Sequence, residues 1–170
     1  MIYYIADTHF GDERVMRLAR RPFKSVADMD ASLCNNWNAV VGRDDTVYIV
    51  GDFAFDDDMA QKILPQLKGR KHLILGNHDK LSAKSLGLFE SVNQILTICD
   101  RGRSVCLCHY PMLSYENSIY GGYHVFGHIH NNENDIAFEI VKSIPRIYNC
   151  GVDVNGFEPK TLDMLIRSKV

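Results

Sequence analysis

The sequence predicts a layered α/β fold with a mixed sheet, on the strength of two patterns. Short apolar, strand-like runs recur along the chain, at residues 2–6, 46–50, 72–75, 92–98, 104–108 and 123–126. Helical patterns separate the early runs but not the later ones, so strands first alternate with helices and then follow one another. No repeat, low-complexity tract or linker divides the 170 residues, a length that suits a single domain over 1–170.

Taken in order, Ile2, Tyr3, Tyr4 and Ile5 form an opening strand that gives way at Asp7. A helix is expected after Ser25, whose hydroxyl can cap it with Asp28 three residues on; Val26, Met29, Leu33, Trp37 and Val40 then share one face. Trp37 on that face is a core residue. After the run at 46–50, Asp56, Asp57 and Asp58 suit a helix N-terminus, where carboxylates meet the positive end of the dipole. Met59, Ile63, Leu64 and Leu67 mark the buried side of this second helix, and Leu67-Lys68-Gly69-Arg70 is its exit. Strands dominate beyond that point, with short runs at 136–141 and 146–149 expected to end the sheet. Residues 112–123 show no period and read as a loop of a length that suits a lid or binding segment.

Composition narrows the function classes. A hydrophobic fraction of 46% with 24% charged residues is that of a soluble globular protein. The formal net charge of −2 argues against an extended nucleic-acid groove, though a local pocket can still be cationic. No apolar run reaches the roughly 20 residues of a membrane span, and the first residues lack a signal peptide's basic region. Five cysteines, an odd number with no C-x-x-C pair, read as buried free thiols in a reducing compartment. A cytoplasmic location is therefore expected.

The chemistry gathers where apolar runs end. Asp7-Thr8-His9 follows Ala6, Gly51-Asp52 follows Val50, and Gly76-Asn77-His78-Asp79 follows Leu75. His109 follows Cys108, and Gly127-His128-Ile129-His130 follows Phe126. In open α/β sheets ligands bind beyond the carboxyl ends of the strands, so these groups converge if the strands are neighbours. In extended chain, i and i+2 point the same way, which lets Asp7 pair with His9 and His128 with His130. Five of the seven histidines occupy such positions; His72 and His124 start strands instead and read as structural.

This ordered set, D-x-H, G-D, G-N-H-D, a lone His and G-H-x-H, resembles the calcineurin-like metallophosphoesterase family, with a match running from Asp7 to His130. The opening Asp7-Thr8-His9-Phe10-Gly11, followed by Arg21-Pro22-Phe23, is most similar to small bacterial and phage members. Such relatives often carry His where this chain has Asp12, a change that leaves the ligand set intact. The resemblance implies an αββα sandwich of two mixed β-sheets flanked by helices. It also implies a dinuclear centre, with Asp7, His9, Asp52 and His130 holding one ion and Asp52, Asn77, His109 and His128 the other. Their N/O character suits manganese first, with iron, nickel, cobalt or zinc as further candidates.

The implied activity is hydrolysis of a phosphodiester or phosphomonoester by a metal-activated hydroxide, with diesters slightly preferred. His78 would face the leaving group as proton donor, with Asp79 orienting it. The alternative is a catalytically silent binding or scaffold protein on the same fold, whose signature would be a missing bridging carboxylate or missing His; Asp52 and His78 are both present. The expected partner is a small phosphoester, nucleotide-derived in one reading. Phe10, Tyr115, Tyr120 and Tyr123 are candidates to line its pocket, and Arg14, Arg20, Arg21 and Arg146 to pair its phosphate. Asp153, after Gly151, is a candidate support for the site.

Overall fold

The computed structural model describes residues 1–168. Its elements are β1 (Ile2–Ile5), α1 (Glu13–Leu18), α2 (Val26–Val40), β2 (Thr46–Val50), α3 (Asp57–Ile63), β3 (Arg70–Ile74), α4 (Ala83–Leu86), β4 (Ser91–Asn93), β5 (Ile95–Asp100), β6 (Arg103–Cys108), β7 (Tyr123–Phe126), α5 (Ile136–Ser143), β8 (Ile147–Asn149) and α6 (Leu162–Ser168).

Two four-stranded sheets result, ordered β1-β2-β3-β4 and β5-β6-β7-β8, with helices flanking them. The expected sandwich is present, with one refinement. The first sheet is parallel throughout, and the mixed character lies in the second, where β5 pairs antiparallel to β6 and the other pairs are parallel. Helical crossovers make the first sheet parallel, because each strand must return to the same edge before the next begins.

Alternation along the strands sets the layers. Tyr3 and Ile5 of β1, with Val47 and Ile49 of β2, pack outward on Met29, Leu33 and Trp37 of α2 and on Ala60 and Ile63 of α3. Tyr4, Ala6 and Val50 face the other way, meeting Val105 and Leu107 of β6, Val125 of β7, and Leu162 and Leu165 of α6. A third cluster of Phe126, Ile129, Val141 and Ile147 lies under α5. Trp37 is fully buried and donates from Nε1 to the Lys68 carbonyl at 3.0 Å.

The caps fall where side-chain chemistry places them. Ser25 accepts from the Asp28 amide to start α2, and Asp56 accepts from the Met59 amide to start α3. Two expectations are corrected. The run at 92–98 is two strands, because the chain leaves the first sheet after Asn93 and enters the second at Ile95. The run at 136–141 is helix: Asp135 caps it by accepting from the Ala137 amide, and Ala137, Phe138 and Val141 share its inner face. Tertiary burial at helical spacing overrides the strand propensity of its isoleucines. Residues 112–123 are loop apart from a 3₁₀ turn at Ser118–Tyr120.

Because β1, β2 and β3 run parallel, and β6 and β7 likewise, each set delivers its carboxyl ends to one edge. Backbone bonds join the two edges: the Ala6 amide donates to the Cys150 carbonyl at 3.0 Å and the Val152 amide to the Ala6 carbonyl at 3.1 Å. Among the described residues no helix is long and apolar enough to cross a membrane, and all five cysteines are free, four buried as expected and Cys99 exposed.

Candidate metal centre

The residues following β1, β2, β3, β6 and β7 meet at that joined edge. Asp7, His9 and His130 offer ligand atoms within 4.8 Å of one another, and Asp7, Asp52 and His109 form a second such triad. Asp52 ties the two together: its Oδ2 lies 3.5 Å from His9 Nε2 and 3.4 Å from His109 Nε2. Asn77 joins the second group through Oδ1, 3.2 Å from His109 Nε2. The His128 ring lies 5.1 Å from that of His109, and the exposed His78 ring 5.4 Å from that of His9.

The backbone is bent to achieve this. Asp7, His9, Asp52, His128 and His130 all have φ between 48° and 72°, the left-handed region that L side chains avoid. Each such residue costs about 1–2 kcal/mol, so five of the prospective donors carry backbone strain. Two glycines make the close approach feasible. A Cβ on Gly51, whose φ is +90°, would sit 2.2 Å from His109 Nδ1, and one on Gly76 would sit 2.2 Å from Asp52 Oδ1.

Hydrogen bonds fix the donors from behind. His109 Nδ1 lies 2.9 Å from the Val50 carbonyl and His130 Nδ1 lies 2.7 Å from Asp153 Oδ2, so each ring presents Nε2 to the site. Arg21 holds Asp153 through Nε at 2.8 Å and a second nitrogen at 3.0 Å, and also donates to the Asp7 and Thr8 carbonyls. Asp7 accepts from the His128 amide at 3.0 Å, and Asp52 Oδ1 from the His78 amide at 2.8 Å.

The electrostatics of the cluster follow from burial and from the pairing of its carboxylates with its imidazoles. Burial pushes the Asp7 carboxyl up to about 6 and the His9 imidazole down to about 4. Burial would also raise Asp52, but the bond from His109 and its charge prevail and hold it at about 2. Burial opposes a charged His109 too, yet Asp52 and Asp7 bring it to about 9. His9 Nε2 is the decisive atom: it is buried with no hydrogen-bond partner among the described residues. Leaving such an atom unpaired costs about 1–3 kcal/mol, and a divalent ion between His9 and Asp52 would remove that cost. Carboxylates, imidazoles and an amide oxygen form a donor set suited to transition-metal cations.

Several sequence-based expectations are relocated. Asp79 accepts from the amides of Asp52, Phe53 and Gly76, each at 2.8 Å, so it clamps the two turns together. Among the described residues no hydrogen bond joins it to the His78 ring, and the orienting role expected for it does not hold. Phe10 is fully buried against Phe53, with ring centroids 5.3 Å apart, so it lines no pocket. Tyr115 packs on His124 and Tyr123 on Tyr148. Tyr120 is exposed, as are Arg20 and Arg146. The Arg21 guanidinium is committed to Asp153 and two carbonyls and pairs no phosphate. Arg14 forks onto Asp12 through two bonds of 3.1 Å. His72 stacks on Tyr48, and His124 is buried, so both are structural. Tyr110, packed on His109 and His128, was not singled out in the sequence; its one signal is adjacency to His109.

A cavity of about 210 Å³, lined by Phe126, Ile129, Phe138, Val141 and Leu165 among others, lies under α5 and holds none of these donors.

No family model matches the chain. It is 32% identical over 169 residues to the uncharacterized protein MJ1445 of Methanocaldococcus jannaschii, covering 98% of this chain and 89% of that protein. It is 40% identical over 81 residues to the Gene 66 protein of Mycobacterium phage L5, covering 45% of this chain and 39% of that one. Among solved structures, the protein of unknown function AQ665 from Aquifex aeolicus matches with a TM-score of 0.75 at 27% identity, over 94% of each chain. Two further matches are at 16% identity and cover 88% of this chain. One is Entamoeba histolytica Vps29 complexed with zinc, at a TM-score of 0.48 over 73% of that chain. The other is the Escherichia coli phosphoesterase YfcE, at 0.41 over 77% of that chain.

Proposed function

We propose that this chain, which belongs to the same family as protein MJ1445 of Methanocaldococcus jannaschii, is a two-metal phosphoesterase of the calcineurin-like type. The observation that carries the reading is the orphaned, buried His9 Nε2 facing Asp52 Oδ2, a carboxylate oxygen about equally far from His9 and His109. Asp7, His9, Asp52 and His130 would hold one divalent ion, and Asp52, Asn77, His109 and His128 the other. The two ions would supply Lewis acidity toward phosphoryl oxygens and a water acidified toward neutral pH.

The chain supplies the rest. Asp52 Oδ2 lies within reach of both His9 Nε2 and His109 Nε2, so this carboxylate would serve both groups of donors. The left-handed backbone at Asp7, His9, His128 and His130 is part of the fold that brings these donors together. Neutral imidazoles hold cations without cancelling their charge, which leaves the site attractive to an anionic ester. His78 is exposed with its amide anchored to Asp52 Oδ1, and in this reading it would give a proton to the departing oxygen. Diesters over monoesters, manganese over other ions and a cytoplasmic setting are parts of the same proposal.

The experiment is release of p-nitrophenol from its phosphate mono- and bis-esters by manganese-loaded protein, with Asp52→Asn and His78→Ala alongside. Asp52→Asn should lose at least about 10²-fold in kcat/KM together with bound manganese. On an alkyl ester with a poor leaving group, His78→Ala should lose about 10²–10⁴-fold with its metals retained. A wild type no faster than Asp52→Asn on every ester would reject the reading.

A further inference from the structure

Tyr110 is an aromatic ring that the fold holds at the mouth of the site yet leaves 46% exposed. Its centroid lies 4.6 Å from that of His128 and 5.2 Å from that of His109, at steep interplanar angles of 65° and 73°. It therefore abuts two of the side chains assigned to the second ion. A group bonded to a phosphoryl centre there need extend only a few bonds to reach it.

The ring is fixed in place. Pro111 follows it and restricts the Tyr110 backbone to extended conformations. Beneath the turn, the buried His124 lies 3.0 Å from the Cys106 carbonyl through Nδ1, and its Nε2 accepts from the Met112 amide at 3.0 Å. With a further contact of 3.2 Å from Nε2 to the Tyr110 carbonyl, His124 ties the turn to β6 and β7. A large aromatic immobilised from below and open above is a stacking surface prepared in advance. Phe10, Tyr115 and Tyr123 are packed into the protein and do not serve this purpose.

We infer that Tyr110 is the specificity-determining platform for the organic part of the substrate, and that this part is a flat aromatic group such as a nucleobase or aryl ring. The inference rests on the phosphoesterase reading and narrows it from phosphoesters at large to those with an aromatic group close to phosphorus. The recognition is made by the ring face, so the phenolic hydroxyl is dispensable and the aromatic ring is not.

The test is a binding measurement that needs no turnover. Phenylphosphonate and methylphosphonate carry the same anionic head and no ester bond, and their affinities for manganese-loaded protein are read by calorimetry. Wild type should bind phenylphosphonate about tenfold more tightly. Tyr110→Ala should bring the two affinities within about twofold of each other, and Tyr110→Phe should keep the preference. Equal binding of the probes by wild type, or an undiminished preference in Tyr110→Ala, would overturn the platform while leaving the phosphoesterase reading intact. If manganese-loaded wild type binds neither probe, the anion site itself fails and the platform falls with it.

Discussion

The two halves of the candidate site are built to different standards. On the first side, His130 leans on Asp153, and Asp153 leans on Arg21, with those last two side chains at most 1% exposed. Arg21 also grips the Asp7 and Thr8 carbonyls, so one buried cation organises the turn that carries Asp7 and His9. On the second side, His109 leans only on the neutral Val50 carbonyl, Asn77 is exposed, and His128 rests against the half-open Tyr110 ring. A carboxylate behind an imidazole makes it a stronger, better-oriented donor than a carbonyl does. The difference teaches that one side is coupled to folding while the other is left open, on the face a substrate must enter.

Breaking the buttress is the most forceful test of that contrast. Arg21→Met should leave the Asp153 carboxylate buried and without its main partner, at a cost of about 3–5 kcal/mol in urea unfolding. It should also weaken the ion proposed at Asp7, His9, Asp52 and His130 by about 10–100-fold in a competition titration with a chelator. Asn77→Ala, at an exposed position, should keep stability within about 0.5 kcal/mol and weaken only the other ion. Equal stability losses in the two variants would erase the asymmetry. The buttress has its own pH signature. Burial pushes Asp153 up, but His130 and Arg21 outweigh that and hold its carboxyl below the ordinary range. Its contribution is therefore present above the unfolded value near 3.9 and is lost only as pH falls through the depressed folded value.

That same contrast marks what could be read from the sequence. The donors were legible because each sits one step beyond an apolar run, and strand direction alone then brings them together. The sandwich followed from where the runs fall. Less was legible where partners are distant in sequence: the Arg21–Asp153 pair spans 132 positions, and nothing local in Arg21-Pro22-Phe23 distinguishes a buried clamp from a surface phosphate binder. Asp79 was misassigned for a related reason. Its neighbour in sequence is His78, but its neighbours in space are three backbone amides. Residues 136–141 suggest a strand because Ile136, Ile140 and Val141 favour strands intrinsically, and only the packing of Ala137, Phe138 and Val141 on Phe126, Ile129 and Ile147 decides for helix.

A smaller effect is expected from relieving the strain on the first side. Asp7 holds its proton to about 6 in the folded, metal-free protein, because burial disfavours its charge. The unfolded chain releases that proton near 3.9. Between those values the folded state binds more protons, so stability falls as pH rises through the window, and the cost persists above it. Asp7→Asn removes the charge while an amide oxygen can still accept from the His128 amide. At pH 7 the metal-free variant should melt several degrees above metal-free wild type, with the gap closing below about pH 4. Manganese should reverse the order by raising the melting temperature of wild type alone. A variant that melts lower at pH 7 would show that Asp7 is not held against its own solvation.

The gentlest probe perturbs no residue. Each proposed site pairs a lowered imidazole with a raised one: burial brings His9 to about 4 and also lowers His128. Burial is overcome at His130 by Asp153, and at His109 by Asp52 and Asp7, the latter reaching about 9. The lowered rings are ready to bind at neutral pH, whereas His109 must first give up a proton. Manganese uptake at pH 7 should therefore release protons, seen as binding heats that differ between buffers of unlike ionisation enthalpy. The affinity of the His109 side should rise by about tenfold per pH unit from 7 and level off near pH 9. Heats independent of buffer at pH 7 would mean that His109 is already neutral before manganese binds, and that Asp52 is not its charged partner.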